Sequence, residues 1–86
     1  MPTERQLAET ADLFSALDDP TRLKIVFALA AAGELCVSDL SLVVGMNLSA
    51  ISTQLRLLRG LGVVSRRHEG KMAFYFLRGT SVADLA

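Results

Sequence analysis

The stretch Ser38–Arg59, SDLSLVVGMNLSAISTQLRLLR, decides how this 86-residue chain is read. Ser38 can cap a brief helix that turns Leu40, Val43 and Val44 inward. Gly45 breaks it, because the tight turn needs a positive φ or a close helix approach that a side chain would penalise. Met46-Asn47-Leu48 then leads to Ser49, a second capping residue, and to a longer amphipathic helix. Ile51, Leu55 and Leu58 share one face of that helix, with Ala50, Thr53, Arg56 and Arg59 opposite. Ser41, four residues before the glycine, is small enough for the two helices to cross closely. Ile51, six residues after it, is placed to fill the wedge between them. This is the pattern of a helix-turn-helix, whose second helix holds Ser49, Ser52, Thr53 and Arg56 free to enter a major groove.

Downstream the period changes from helical to alternating. Val63-Val64 opens a strand, Glu69-Gly70 marks a turn, and Met72, Phe74 and Phe76 alternate with Ala73, Tyr75 and Leu77. Two strands around a glycine-containing turn predict a β-hairpin. Its basic side chains (Arg66, Arg67, His68 and Lys71) make it a basic wing behind the second helix. Upstream, Thr3 and Gln6 have capping-box spacing, and Leu7, Ala11, Phe14 and Leu17 recur at helical intervals, predicting a helix over 4–17. Asp19 caps and Pro20 opens a second helix, over 20–32, which is apolar on most sides and so is expected to be buried; Gly33 ends it. Glu34–Val37 reads as a short extended connection, and Thr80–Ala86 as the start of a fifth helix. The predicted fold is mostly α with a β-hairpin: one winged helix-turn-helix domain over 1–86, in the order α-α-α-α-β-β.

Composition agrees with a folded domain, since 51% of residues are hydrophobic and 21% charged. A chain this short has a thin core and is often supported by a metal, a disulfide or a partner subunit. The single cysteine, Cys36, excludes an internal disulfide, which leaves dimerisation as the simplest support. Formal net charge is zero, yet the charges are unevenly placed. Residues 1–53 carry seven acidic and three basic groups, a balance of −4, whereas residues 54–78 carry six basic and one acidic, a balance of +5. A neutral chain arranged this way can present one basic face to phosphates. No apolar run approaches the ~20 residues that span a bilayer, and the first residues lack the pattern of a secretory signal, so a cytoplasmic location is expected. One histidine and one cysteine far apart, with no phosphate-binding loop or paired acidic motif, point away from an enzyme.

Four segments together resemble the ArsR/SmtB family of winged-helix repressors. They are ALDDPTRLKIV (16–26), ELCVSDL (34–40), LSAISTQLRLLRGLGVV (48–64) and RRHEGKMAFYFL (66–77), within a region covering about three quarters of the chain. The resemblance implies a transcriptional repressor that binds double-stranded operator DNA as a homodimer, one recognition helix per half-site, and is released when an inducer such as a metal ion binds. It carries DNA contact to Asn47, Ser49, Ala50, Ser52, Thr53, Gln54 and Arg56. Arg66, Arg67 and Lys71 are the wing candidates for phosphate. The family often has histidine at the positions of Thr53 or Gln54, so base preference is expected to differ here.

The resemblance also bears on the inducer. Arsenic- and cadmium-sensing relatives carry cysteines at the positions of Cys36, Ser38 and Ser41, and only the first is kept. Soft cations are held by thiolate, for which serine substitutes poorly, so that site is expected to be absent or weak and Cys36 stands as the only candidate thiolate. The other family site uses Asp and His on the last helix, where this chain reads Gly79-Thr80-Ser81. Either the first helix carries more of the dimer interface, or the chain is a shortened form whose missing residues hold ligands. A thiophilic or borderline divalent metal is the cofactor expectation. A winged-helix module that binds protein through its helices is the alternative function.

Overall fold

The computed structural model describes residues 3–78, and the expected fifth helix at Thr80–Ala86 lies outside them. Four helices and three strands follow one another: α1 (Glu4–Leu17), α2 (Pro20–Ala32), β1 (Leu35–Cys36), α3 (Val37–Val44), α4 (Leu48–Gly60), β2 (Val64–Glu69) and β3 (Met72–Leu77). The winged helix-turn-helix expected from the sequence is present, with one strand more than the hairpin requires.

Local chemistry sets most of these boundaries. At α1, the Thr3 amide donates to Gln6 Oε1 at 2.8 Å and the Gln6 amide to Thr3 Oγ1 at 3.1 Å, a closed capping box. At α2, Asp19 Oδ1 accepts from the Thr21 amide at 2.7 Å, and Pro20 opens the helix where its missing N–H costs nothing. Between α3 and α4, Gly45 sits in the left-handed region at φ 78, and its amide and that of Met46 both donate to the Ser41 carbonyl, at 2.9 and 3.1 Å. The Ser41 hydroxyl returns a bond to the Met46 carbonyl. Ser41 thus closes the turn by hydrogen bonding as well as by being small.

Two caps differ from expectation. Asn47, not Ser49, caps α4: its Oδ1 accepts from the Ala50 amide at 2.8 Å. The doubly bonded turn reverses the chain within two residues, so α4 begins before Ser49 is reached. Likewise α3 begins at Val37, with Cys36 in the cap position and no side-chain cap bond. The reason is β1, which pairs Leu35 with Tyr75 and Cys36 with Phe74 and holds the backbone extended up to the first helical residue. What reads as a short extended connection is therefore the edge strand of an antiparallel sheet ordered β1-β3-β2.

The core collects Ile25 and Leu29 from α2, Leu40 from α3, Ile51, Leu55 and Leu58 from α4, Val64 from β2 and Tyr75 from β3. Burying so many branched chains against one another is what fixes α4 on the sheet, since each is worth about 1.5–3 kcal/mol relative to exposure. Helix α2 is less enclosed than its composition suggests. Ile25 and Leu29 are buried, but Phe27 is 65% exposed; Val43, expected inward on α3, is 64% exposed. Helix α3 is only eight residues long and turns one narrow face, Leu40 with half-buried Val37 and Val44, to the core. On α1, Leu7 and Phe14 face solvent.

Candidate nucleic-acid interface

Helix α4 has two flanks of opposite character because its residues repeat at helical spacing. Ile51, Leu55 and Leu58 are completely buried, which turns Ser49, Ser52, Thr53 and Arg56 outward on the other side. These four stand at i, i+3, i+4 and i+7, one continuous stripe. The Thr53 hydroxyl donates back to the Ser49 carbonyl at 3.1 Å, which leaves its methyl group and lone pairs at the surface. Asn47 spends its carbonyl oxygen on the cap and keeps its amide donors. Ala50 and Gln54 lie at the margin of the stripe, half-buried, and the Gln54 Oε1 is buried with no hydrogen-bond partner.

The hairpin follows α4 through Gly62, at φ 78, and closes over Gly70 and Lys71, with Glu69 opposite Met72. A positive φ at Gly70 alone, the first of the two central residues, is the pattern of a type II′ turn, whose twist suits a hairpin. Strand alternation then sorts the basic side chains of the wing. Arg66 and His68 stand opposite Tyr75 and Ala73, on the face that carries buried Val64; Arg67 stands opposite Phe74, on the other face.

The two faces have different chemistry. On the outer face the Arg67 guanidinium donates from Nε and Nη2 to both oxygens of Glu34, at 3.0 and 2.5 Å, and from Nη1 to Glu69 at 3.0 Å. It also lies over the Phe74 ring, 4.7 Å from the centroid. The bond from Arg67 holds the Glu34 carboxyl below its ordinary range, and the two carboxylates push the arginine further toward its charged form. On the inner face Arg66 donates to the Tyr75 hydroxyl at 3.4 Å, a long bond. There a cleft of about 560 Å³ opens between α4 and β2, lined by Arg56, Arg59, Arg66, His68 and Arg78 with Val64. Among the described residues no carboxylate lines it.

Of the candidates drawn from the sequence, Ser49, Ser52, Thr53 and Arg56 thus share the exposed stripe, and Arg56 meets Arg66 across the cleft. Lys71 stands exposed at the tip of the turn. Arg67 is turned away from them and already paired. Arg59 and Arg78 join the cleft without having been singled out as contacts. Arg59 carried a signal, as an arginine in the last turn of the recognition helix; Arg78 carried none, because its approach depends on where β3 ends.

Cys36 is a free, buried thiol whose strand lies against β3. Among the described residues no three His, Cys, Asp or Glu side chains gather as metal donors. Also among them, no helix is long and apolar enough to cross a membrane.

Comparison with known proteins gives the same architecture. The chain is 40% identical to a cadmium resistance transcriptional regulatory protein CadC homolog of Staphylococcus aureus, over 90% of this chain and 64% of that protein. It is 42% identical to a transcriptional repressor SmtB homolog of Synechocystis, over 93% of this chain and 60% of that one. The chain therefore spans about three fifths of the length of these relatives. Among solved structures, the homodimeric winged helix-turn-helix DNA-binding domain Mb0332 of Mycobacterium bovis superposes with a TM-score of 0.79 at 34% identity, covering 98% of this chain and 80% of that domain. Residues 19–66, from the α2 cap to the first arginine of the wing, match the family described as bacterial regulatory protein, arsR family. With that match over more than half its length, the chain belongs to the arsR family of bacterial transcriptional regulators, which are not enzymes.

Proposed function

We propose that the protein is a transcriptional repressor that binds double-stranded operator DNA as a homodimer, in the cytoplasm. The observation that carries this reading is the shared face of α4 and the wing. A stripe of short polar side chains and Arg56 adjoins a cleft whose arginines have no carboxylate beside them among the described residues. Short hydroxyl side chains let a helix approach the floor of a major groove closely. Arginines on either side supply the phosphate contacts that hold register. Ser49, Ser52, Thr53 and Arg56 are the base-edge candidates, with Asn47, Ala50 and Gln54 at the margin. Arg66 and Lys71 serve the backbone.

Metal-triggered release is the regulation suggested for the whole protein by relatives named for cadmium and arsenical resistance. The start of α3 does not fit a soft-metal site. Cys36 is its only thiol, it is buried, and hydroxyls stand at 38 and 41. A hydroxyl is a poor ligand for a thiophilic cation. Donors for an inducing ion must therefore come from another place, and the described residues assign no step to one.

Band-shift titration of duplex DNA at several salt concentrations tests the reading. Affinity should fall steeply as salt rises, by the release of counterions from neutralised phosphates. Binding that ignores salt, or no binding to any duplex, would return the protein to the class of winged-helix modules that contact other proteins.

A further inference from the structure

We infer that the cleft between α4 and β2 seats one strand of the DNA backbone, with Arg59 and Arg78 as phosphate ligands beside Arg56 and Arg66. The inference rests on the DNA-binding reading and adds to it a strand track and two contact residues.

Charge is the first argument. Four guanidinium groups and one imidazole line an open cleft of about 560 Å³, and no carboxylate among the described residues lines it. Elsewhere the chain gives its arginines partners: Arg22 pairs with Asp19 at 3.3 Å, and Arg67 with Glu34 and Glu69. No ion pair links Arg56, Arg59 or Arg78 to a carboxylate among the described residues. The last turn of α4 borders the cleft at Arg59 and Gly60, but a helix end supplies only about half an elementary charge, too little to offset four cations. Like charges gathered between low-dielectric walls raise the local potential and concentrate anions. The planar fork of each arginine is suited to two phosphate oxygens at once.

Placement is the second argument. One wall of the cleft is the recognition helix and the other is the inner face of the wing. When such a helix enters a major groove and the hairpin covers the neighbouring minor groove, the strand that separates the grooves runs between them. Arg56 and Arg59 approach that track from the helix, and Arg66 and His68 from β2. Arg78 closes its base: its amide donates to the Val63 carbonyl at 3.0 Å, and its Nη1 lies 3.6 Å from where a Cβ on Gly62 would stand. A continuous polyanion fits this row of cations better than an isolated ion.

Fluorescence anisotropy of the full chain with a mixed-sequence DNA duplex, from 50 to 200 mM salt, tests the inference. Arg59→Ala and Arg78→Ala should each make the log–log salt dependence shallower by about 0.9, so that about 3.5-fold less affinity is lost over that fourfold rise in salt. Arg59→Lys should keep the wild-type slope, because the charge remains. Lys24→Ala, which removes an exposed cation on α2 far from the site in sequence, should keep it as well. Thermal melting of the variants in step with wild type shows that the slopes report contacts and not unfolding. Wild-type slopes in both arginine-to-alanine variants, with duplex binding intact, would overturn the strand track and leave the DNA reading standing. Failure of the wild-type protein to bind the duplex would remove both.

Discussion

Ile51 and Gly45 carry the geometry of the helix-turn-helix, and each does so by a different physical route. Ile51 is completely buried in the core that α4 shares with α2, α3 and the sheet, so Ile51→Ala leaves a cavity there. The expected cost is about 2–5 kcal/mol, read as a lowered midpoint in urea unfolding. Gly45 meets no neighbour where a Cβ would project, so space is not its constraint; the constraint is its φ of 78. Gly45→Ala should cost about 1–2 kcal/mol through backbone strain alone, with unfolding cooperativity unchanged. Asn47→Ala removes the α4 cap and should cost about 1 kcal/mol, while Ser49→Ala, which caps nothing, should leave stability near wild type. The residue scale also shows where reading the chain fell short. Asn and Ser are nearly equal as caps, so the choice between Asn47 and Ser49 depends on how sharply the turn reverses. That sharpness comes from the paired bonds on the Ser41 carbonyl, which no local propensity contains.

At the scale of elements, α4 and the hairpin were legible because their side chains repeat at 3.6 and 2 residues. Strand β1 was not, since two residues hold no period and their pairing with Tyr75 and Phe74 bridges 40 and 38 positions. The same strand accounts for the unexpected fate of Arg67. Glu34 immediately precedes β1, and the sheet brings its carboxylate to the outer face of β2, where Arg67 grips it with two bonds. The wing is thereby tied to the start of α3. Glu34→Gln should loosen that tie, seen as faster amide hydrogen exchange in β2 near Arg67, with little change in global stability because the pair is open to solvent. Its pH dependence follows from sign. The Glu34 carboxyl is held below its ordinary range, so the tie contributes above the unfolded value and fades only as pH falls through the depressed one. Exchange rates, corrected for intrinsic chemistry, should therefore report an intact tie throughout the neutral range and its loss only in acid.

At the scale of the whole molecule, charge is divided between the two halves of the chain. The basic second half supplies α4, the wing and the cleft, whereas α1 exposes Leu7 and Phe14 and contributes none of the fully buried core side chains among the described residues. A helix so placed suits the subunit contact of the proposed homodimer. Replacing Leu7 and Phe14 with glutamate should shift sedimentation toward monomer and weaken binding to a two-fold operator more than to a single half-site. Zero net charge concealed this division, which appears only when the halves are counted separately and their elements are placed in space. The central claim is that α4 and the wing form one DNA-binding face. Mapping amide chemical shifts on titration with duplex DNA tests it most directly. Perturbations gathered over residues 47–59 and 64–72, with α1 and α2 quiet, are the predicted result. Perturbations confined to α1 and α2, or a spectrum unmoved by excess duplex, would contradict it.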